Sequence, residues 1–219
     1  MIDKMKIKAV VFDFGGVIEL YEGGRISRKF AEVLEVDYDK FKAVYFEHNH
    51  LSNVGNLKWE EMVLKVASVF DKSKEKEAQI KAIIQENHSK LKINSELLTF
   101  FKILRQQGLK VAIFSNATSK LRKRLVKEDI AGLVDEIVIS GEIGHQKPNK
   151  EAFQILFEKL GCRPEEVIFI DDTKKSLEKA SEIGYIPILF KNNELLKVDL
   201  YSHGILLTQQ NTGADGFTG

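Results

Sequence analysis

Short apolar runs recur along the chain, and each ends at a polar residue or a glycine. The four clearest runs cover 9–12, 110–114, 136–139 and 167–170, and they are rich in β-branched and aromatic residues. Runs of this kind, separated by segments long enough for a helix, are typical of parallel strands that are buried on both faces. A fifth run at 185–190 contains a proline, which favours a position towards an edge of the sheet.

Segments with helical spacing lie between these runs, at 96–107, 119–128, 150–160 and 174–183. A glycine directly follows three of them, and glycine just past a helix is a common stop signal. Strands and helices therefore alternate from about residue 95 to residue 190. We expect an α/β fold whose core is a Rossmann-like, doubly wound parallel sheet with right-handed crossovers, and a ligand site at the carboxyl ends of the strands.

The interval 20–92 has a different pattern, with no strand-like run and four segments of helical spacing. These segments are 27–34, 38–48, 59–70 and 75–91. An all-helical insert after the first strand predicts a cap domain over the strand ends, with hinges at 22–25 and 92–94. The predicted domains are a core formed by 1–20 and 93–208, the helical cap at 21–92, and a flexible, glycine-rich tail at 209–219.

The composition indicates a globular protein and disfavours several classes of partner. Hydrophobic residues make up 43% of the chain and charged residues 30%, which is enough apolar material for a substantial core. The formal net charge of +1 gives no reason to expect binding to nucleic acid or to a membrane. The single cysteine, Cys162, excludes an internal disulfide framework and a thiolate metal cluster. The apolar run near the N-terminus is too short for a signal peptide, so we expect a cytoplasmic protein. We expect it to be a monomer or a homodimer.

Polar side chains with reactive groups follow four of the predicted strands. They are Asp13 after the first, Ser115 and Asn116 after the second, Lys147 after the third, and Asp171 and Asp172 after the fourth. One carboxylate can attack phosphorus and two more can hold a hard cation, while a hydroxyl, backbone N–H groups and a lysine can bind phosphate oxygens. The pattern therefore predicts a site that handles a phosphoryl group.

These residues lie in four segments that resemble, in order and spacing, the four motifs of the haloacid dehalogenase-like (HAD) hydrolase superfamily. The segments are 12–17, 114–116, 144–148 and 169–172. The resemblance covers nearly the whole chain, and the helical insert is similar to the type 1 cap of subfamily IA. It implies a Mg²⁺-dependent phosphatase that hydrolyses a small phosphorylated metabolite, such as a sugar phosphate, through an aspartyl-phosphate intermediate.

The resemblance also implies how the nucleophile and the metal are held. Asp13 would attack phosphorus, and the backbone carbonyl of Gly15 would join Asp13 around Mg²⁺. Asp171 and Asp172 would complete the metal site, and which of the two binds the ion directly is left open.

The remaining matched residues are implied to bind the phosphoryl group. Ser115 would hydrogen-bond it, the backbone N–H of Asn116 would assist, and Lys147 would offset the charge of both nucleophile and phosphate. Gly16 belongs to the same binding set, since two glycines in succession allow the chain to turn tightly there.

Gly15 departs from the pattern of most phosphatases in the family, which carry a second aspartate at this position. That aspartate protonates the leaving alcohol and later activates water, and such acid–base help contributes about 10²- to 10⁴-fold in rate. The site should therefore be slower, act on a better leaving group, or take the proton from another residue. Glu19, His48 and His50 are the candidates for that replacement.

Two other functions remain open at this point. A 2-haloacid dehalogenase uses the same nucleophilic aspartate without metal, but its motifs resemble Asp-x-Tyr-Gly and lack the acidic pair. A family member that binds phosphate without turnover is the second alternative, and the glycine in place of the general acid raises it. Arg25 and Arg28 are either anion-binding groups at the base of the cap or solvated surface side chains.

Overall fold

The computed structural model of the protein describes residues 7–21, 25–55, 57–87 and 91–207. The strands are β1 (Ala9–Phe12), β2 (Glu19–Tyr21), β3 (Leu91–Ile93), β4 (Lys110–Ser115), β5 (Glu136–Ile139), β6 (Val167–Asp171) and β7 (Ile186–Leu189). The helices before β4 are α1 (Ile26–Val33), α2 (Tyr38–His48), α3 (His50–Asn53), α4 (Trp59–Phe70), α5 (Lys74–Asn87) and α6 (Ser95–Gln106). Those after β4 are α7 (Lys120–Lys127), α8 (Ser140–Ile143), α9 (Lys150–Leu160), α10 (Lys174–Leu177), α11 (Ala180–Ile183) and α12 (Asn193–Ser202).

The core is a five-stranded parallel sheet, as the apolar runs predicted, and its strand order is β5-β4-β1-β6-β7. The first strand in the chain is thus the central one, and the following crossovers place strands on both sides of it. Strand β7, which contains Pro187, lies at one edge, where proline removes no hydrogen bond between two neighbouring strands.

Helices cover both faces of this sheet, which explains why the strands are apolar along their whole length. Successive residues of β1 point to opposite faces, so Val10 and Phe12 pack with α6, α7 and α12, whereas Ala9 and Val11 pack with α9 and α11. All four of these strand residues are fully buried. The helices that close the two layers therefore fix the central strand, and with it the residue that follows.

Helices α1 to α5 form a separate apolar cluster, centred on side chains such as Phe30, Phe41 and Met62. Every member of this cluster lies between residues 26 and 84, so the insert packs largely on itself. This arrangement agrees with the predicted helical cap. The division of the chain into domains stays a prediction, and the predicted tail at 209–219 lies outside the described residues.

The prediction that 20–92 contains no strand was wrong. Strands β2 and β3 pair antiparallel, with Tyr21 opposite Leu91, and this ribbon joins the insert to the core. Each strand is three residues long and its partner is about 70 residues away, so no local pattern marks either of them. Of the predicted hinges, 22–24 lie outside the described residues, whereas 92 and 93 belong to β3.

Two predicted helices need adjustment, and one helix was missed. The helix expected at 75–91 ends at Asn87, because Leu91 begins β3. The helix expected at 174–183 is divided into α10 and α11, and α12 was not predicted although its Leu196 and Leu200 cover the sheet. None of the helices in the described part of the chain is long and apolar enough to cross a membrane.

Candidate active site

The carboxyl ends of three adjacent strands bring predicted site residues together. Asp13 follows the central strand, and its backbone N–H extends the ladder by donating to the Ile170 carbonyl at 2.8 Å. Ser115 and Asp171 are the last residues of β4 and β6, the two strands that flank β1. Lys147 reaches the same place from the loop after α8. The parallel topology therefore gathers side chains that are far apart in sequence.

Asp13, Asp171 and Asp172 form an acidic cluster in which one carboxylate oxygen of each lies within 4.8 Å of the others. Backbone N–H groups orient two of them: Phe14 donates to Asp13 Oδ1 at 2.7 Å, and Thr173 donates to Asp171 Oδ1 at 2.8 Å. Asp171 is fully buried. Three carboxylates this close repel one another unless cations neutralise them.

Lys147 supplies one of these cations from a buried position. Its Nζ lies 3.0 Å from Asp13 Oδ1 and 2.7 Å from Asp171 Oδ2, and it donates to the Phe114 carbonyl at 2.9 Å. Burial alone would lower the pKa of Lys147, but the two carboxylates raise it above its ordinary value, so the side chain stays charged. Its ammonium group is therefore fixed between the nucleophile candidate and its neighbour.

Burial raises the pKa of Asp13 from 3.8 to about 7, although Lys147 lowers it, and Asp171 and Asp172 raise it further. Burial likewise raises the pKa of Asp172, against the opposing effect of Arg25. Burial is thus the main reason that the pKa values of both carboxyl groups are raised, and repulsion from the neighbouring carboxylates adds to it.

Arg25, at the start of α1, is the second cation at the cluster. It forms an ion pair with Asp172 and donates to Thr173 Oγ1 at 2.9 Å. The two residues of this ion pair are separated by 147 positions in the chain, so it links the helical insert to the core. Of the two readings left open for this arginine, a solvated side chain is therefore wrong.

The side chain of Asn116 holds the backbone of Lys147. This role is separate from the phosphate contact expected of the Asn116 backbone N–H. Its Oδ1 accepts the Lys147 N–H at 2.8 Å, and its Nδ2 donates to the Lys147 carbonyl at 3.0 Å. This pair of hydrogen bonds fixes the backbone that carries the lysine. The neighbouring Ser115 is buried, and no described residue hydrogen-bonds its hydroxyl, which leaves that group available to a ligand.

The two glycines after the nucleophile candidate are held by close neighbours. Gly16 has a φ of +85°, and a Cβ at this position would collide with the Asp172 carboxylate. A Cβ on Gly15 would lie 2.6 Å from the hydroxyl oxygen of Tyr21. Burial raises the pKa of Tyr21, although Arg25 lowers it.

The structure favours none of the three predicted replacements for the general acid. Glu19 is buried and ion-paired with Arg124. His48 Nδ1 lies 2.9 Å from the Val44 carbonyl, and His50 Nδ1 lies 2.9 Å from the Glu47 carbonyl at the end of α2. Both histidines lie outside the lining of the cavity at the cluster. No sequence signal marks Tyr21, because it is the last residue of a strand too short to be recognised.

A cavity of about 1000 Å³ opens between the helical insert and the strand ends, beside Asp172. Its wall from the insert includes aromatic side chains, among them Tyr38, Tyr45 and Trp59. Cations line it from both sides, and the guanidinium of Arg28 lies 4.4 Å from the centre of the Tyr38 ring. The cavity therefore offers aromatic faces and positive charge next to the acidic cluster.

Comparison with known families decides the identity of this fold and site. The model of the haloacid dehalogenase-like hydrolases matches residues 7–182, which include the acidic cluster, Lys147 and the whole insert. The chain belongs to the haloacid dehalogenase-like hydrolases. The match confirms the family that the four sequence motifs predicted for this HAD-like hydrolase.

Solved structures agree with the HAD-like fold. A dehalogenase solved with an intermediate complex superposes with a TM-score of 0.61 at 16% identity, covering 88% of each chain. A HAD family enzyme from Bacteroides thetaiotaomicron, solved with magnesium and inorganic phosphate, superposes with a TM-score of 0.57 at 22% identity. The second match covers 84% of this chain and 94% of the other. At these identities the likeness concerns the fold alone.

The curated relatives include a glyceraldehyde 3-phosphate phosphatase from Methanothermobacter thermautotrophicus. It is 30% identical over 98 residues, which are 44% of this chain and 43% of that protein. The match thus spans less than half the length of the relative.

Proposed function

We propose that this HAD-like hydrolase is a Mg²⁺-dependent phosphatase that acts on a small phosphorylated metabolite of the sugar-phosphate class. The observation that carries the proposal is the cluster of three carboxylates within 4.8 Å, two of which contact the buried Lys147. A nucleophile, a metal-binding pair and a fixed cation are the parts that phosphoryl transfer needs.

The residues present fit a hard divalent cation. Their carboxylate oxygens are the ligands that Mg²⁺ prefers, and the backbone carbonyl of Gly15 is a further oxygen donor on the same turn. Only Lys147 and Arg25 contact the cluster as cations among the described residues, so one carboxylate charge is left unbalanced. Bound Mg²⁺ supplies the missing positive charge and acts as a Lewis acid on phosphoryl oxygens.

The protein groups divide the chemistry between them. Asp13 forms a bond to phosphorus as the bond to the leaving oxygen breaks, and water then hydrolyses the aspartyl-phosphate to restore the carboxylate. Lys147 orients the attacking carboxylate and offsets its charge, and Asn116 holds the lysine in position. The Ser115 hydroxyl and the Asn116 backbone N–H bind the transferred phosphoryl group, with the tight turn at Gly16 leaving room for it.

The acidic pair favours this function over a dehalogenase. Asp171 and Asp172 both face Asp13, and a metal-free attack on a haloacid gives no reason to place two further carboxylates there. The cavity supports the substrate class, because aromatic faces suit a carbon skeleton and Arg28 suits an anionic group. The name of the glyceraldehyde 3-phosphate phosphatase points in the same direction.

The proposal extends to the setting of the enzyme. The helical insert at 21–92 acts as a cap of type 1, as in subfamily IA, over the core at 1–20 and 93–208. The enzyme works in the cytoplasm, as a monomer or a homodimer, without nucleic acid or membrane as a partner.

Phosphate release from a panel of phosphorylated metabolites tests the proposal. The panel includes glyceraldehyde 3-phosphate and an acyl phosphate, assayed with Mg²⁺ and with EDTA. We expect release only with the metal and its loss in Asp13→Asn, while the exposed control Asp39→Asn keeps full activity. Halide release from a 2-haloacid in EDTA would instead establish a dehalogenase, and phosphate binding without turnover would establish the non-catalytic alternative.

A further inference from the structure

The hydroxyl of Tyr21 lies within reach of the carboxyl group that an aspartate at position 15 would carry in most phosphatases of the family. A Cβ on Gly15 would be 2.6 Å from Tyr21 Oη and 3.8 Å from the ring carbon that bears it. The first distance is close to the separation of Cβ and a carboxyl oxygen within one aspartate. The second shows that the phenol points nearly end-on at the glycine.

The backbone holds Tyr21 in this place. Strand β2 pairs with β3, with Tyr21 opposite Leu91, and Gly16 N–H donates to the Glu19 carbonyl at 2.7 Å. The turn after Asp13 is therefore tied directly to β2. Since side chains alternate along a strand, Glu19 and Tyr21 share one face, and both line the cavity.

The hydroxyl is available to a ligand. The Glu19 carboxylate forms an ion pair with Arg124. The Tyr21 hydroxyl, in contrast, has no hydrogen bond to any residue that the structure describes. Arg25 contributes positive charge nearby, with its guanidinium 5.8 Å from the centre of the phenol ring. A phenol with an ordinary pKa of about 10 carries its proton at neutral pH and can donate it to a hydrogen bond.

We propose that Tyr21 is a catalytic residue whose hydroxyl donates a hydrogen bond to the leaving oxygen of the phosphate ester, in the place of the absent aspartate. This inference rests on the proposed phosphatase function. When Asp13 attacks phosphorus, the electron pair of the breaking bond passes to the leaving oxygen, and the phenol stabilises the charge that develops there. Solvent water then protonates the released alkoxide to the alcohol, and a second water hydrolyses the aspartyl-phosphate and releases the proton that neutralises the hydroxide left by the first.

The dependence of rate on the leaving group tests this role. An alkyl phosphate develops a localised charge on its leaving oxygen, whereas p-nitrophenyl phosphate spreads that charge over the ring. We expect Tyr21→Phe to lower kcat for the alkyl ester by about 10- to 100-fold, the effect of one hydrogen bond to a charged oxygen. The loss for p-nitrophenyl phosphate should be several-fold smaller. Tyr201→Phe, which removes the same hydroxyl from the exposed surface of α12, should change neither rate.

A double variant separates the chemical role from a structural one. Gly15→Asp alone meets the Tyr21 hydroxyl, and a carboxyl oxygen at that position would also collide with the ring left by Tyr21→Phe, so the whole ring has to be removed. We therefore expect Gly15→Asp to be poorly active by itself and to restore alkyl-phosphate hydrolysis when combined with Tyr21→Ala, which is impaired on its own. Such rescue also shows that the protein folds without the Tyr21 ring.

Three results decide whether Tyr21 has this catalytic role. Equal losses for the two esters in Tyr21→Phe, or no loss for either, overturn the role of Tyr21 and leave the phosphatase proposal standing. Absence of turnover of both esters by the unsubstituted enzyme with Mg²⁺ overturns both. A larger loss for the alkyl ester, with rescue by the added aspartate, establishes the role.

Discussion

Asp13→Asn is expected to stabilise the metal-free protein at neutral and alkaline pH. The folded protein holds the pKa of Asp13 at about 7, against an ordinary value of 3.8. Between those values the folded state keeps a proton that the unfolded state has released. The free energy of unfolding therefore falls as the pH rises from about 4 to about 7. An asparagine has no proton to lose, so the variant lacks this part of the pH dependence.

The magnitude follows from the two pKa values. Their difference corresponds to about 4 kcal/mol, at about 1.4 kcal/mol per pH unit. This is an upper limit, because water entering the site would relieve part of the repulsion. The Asp13 side chain is only 14% exposed, so screening by solvent removes a small share. We expect the variant to be more stable than the unsubstituted protein by about 2–4 kcal/mol at about pH 8.

Urea unfolding in EDTA measures this difference. At about pH 4 the two proteins should be equally stable, because a protonated carboxyl and an amide have nearly the same size and charge. The exposed variant Asp39→Asn serves as the control and should show no pH-dependent gain. A stability difference that is the same at both pH values would refute the reasoning. Saturating Mg²⁺ should reverse the order, since it stabilises the protein that binds it more tightly.

Three further substitutions test the supports of the site. Asn116→Ala should lower kcat with little change in KM and cost about 1–3 kcal/mol in urea unfolding, because two backbone groups of Lys147 lose their partners. Arg25→Met should tighten Mg²⁺ binding by about tenfold in calorimetry, because it removes a cation that competes with the metal for Asp172. Weaker binding would contradict this. Gly16→Ala should abolish Mg²⁺ binding and destabilise the fold, because its φ of +85° and the Asp172 carboxylate exclude a methyl group; unchanged affinity would disprove it.

Much of the core and its catalytic edge could be read from the chain. Apolar runs with helical segments between them are buried most simply as parallel strands between two layers of helices, joined by right-handed crossovers. Residues that follow such runs, among them Asp13, Ser115 and Asp171, must then meet at one edge of the sheet. The resemblance to the family implied that Lys147 offsets the charge of Asp13, whereas its contact with Asp171 is seen only in the folded structure.

Other features depend on contacts that no local pattern encodes. Strand β2 is too short to be recognised, and it exists because β3 pairs with it from the far end of the insert. Asn116 was expected to act through its backbone, but only the folded loop shows its side chain holding Lys147. The ion pair of Arg25 with Asp172 likewise depends on how the insert sits over the sheet.

The sequence by itself determined the parallel α/β class of the core, the helical character of the insert and the set of residues at the strand ends. It also showed that Gly15 lacks the side chain expected there. Only the tertiary structure placed the Tyr21 hydroxyl beside that glycine, paired Glu19 with Arg124, and left His48 and His50 outside the cavity. The physical reason is the distance along the chain over which each signal acts. Periodicity and turn residues reflect interactions between residues a few positions apart, whereas the space left by a missing side chain is filled by a residue that tertiary packing brings there from another segment.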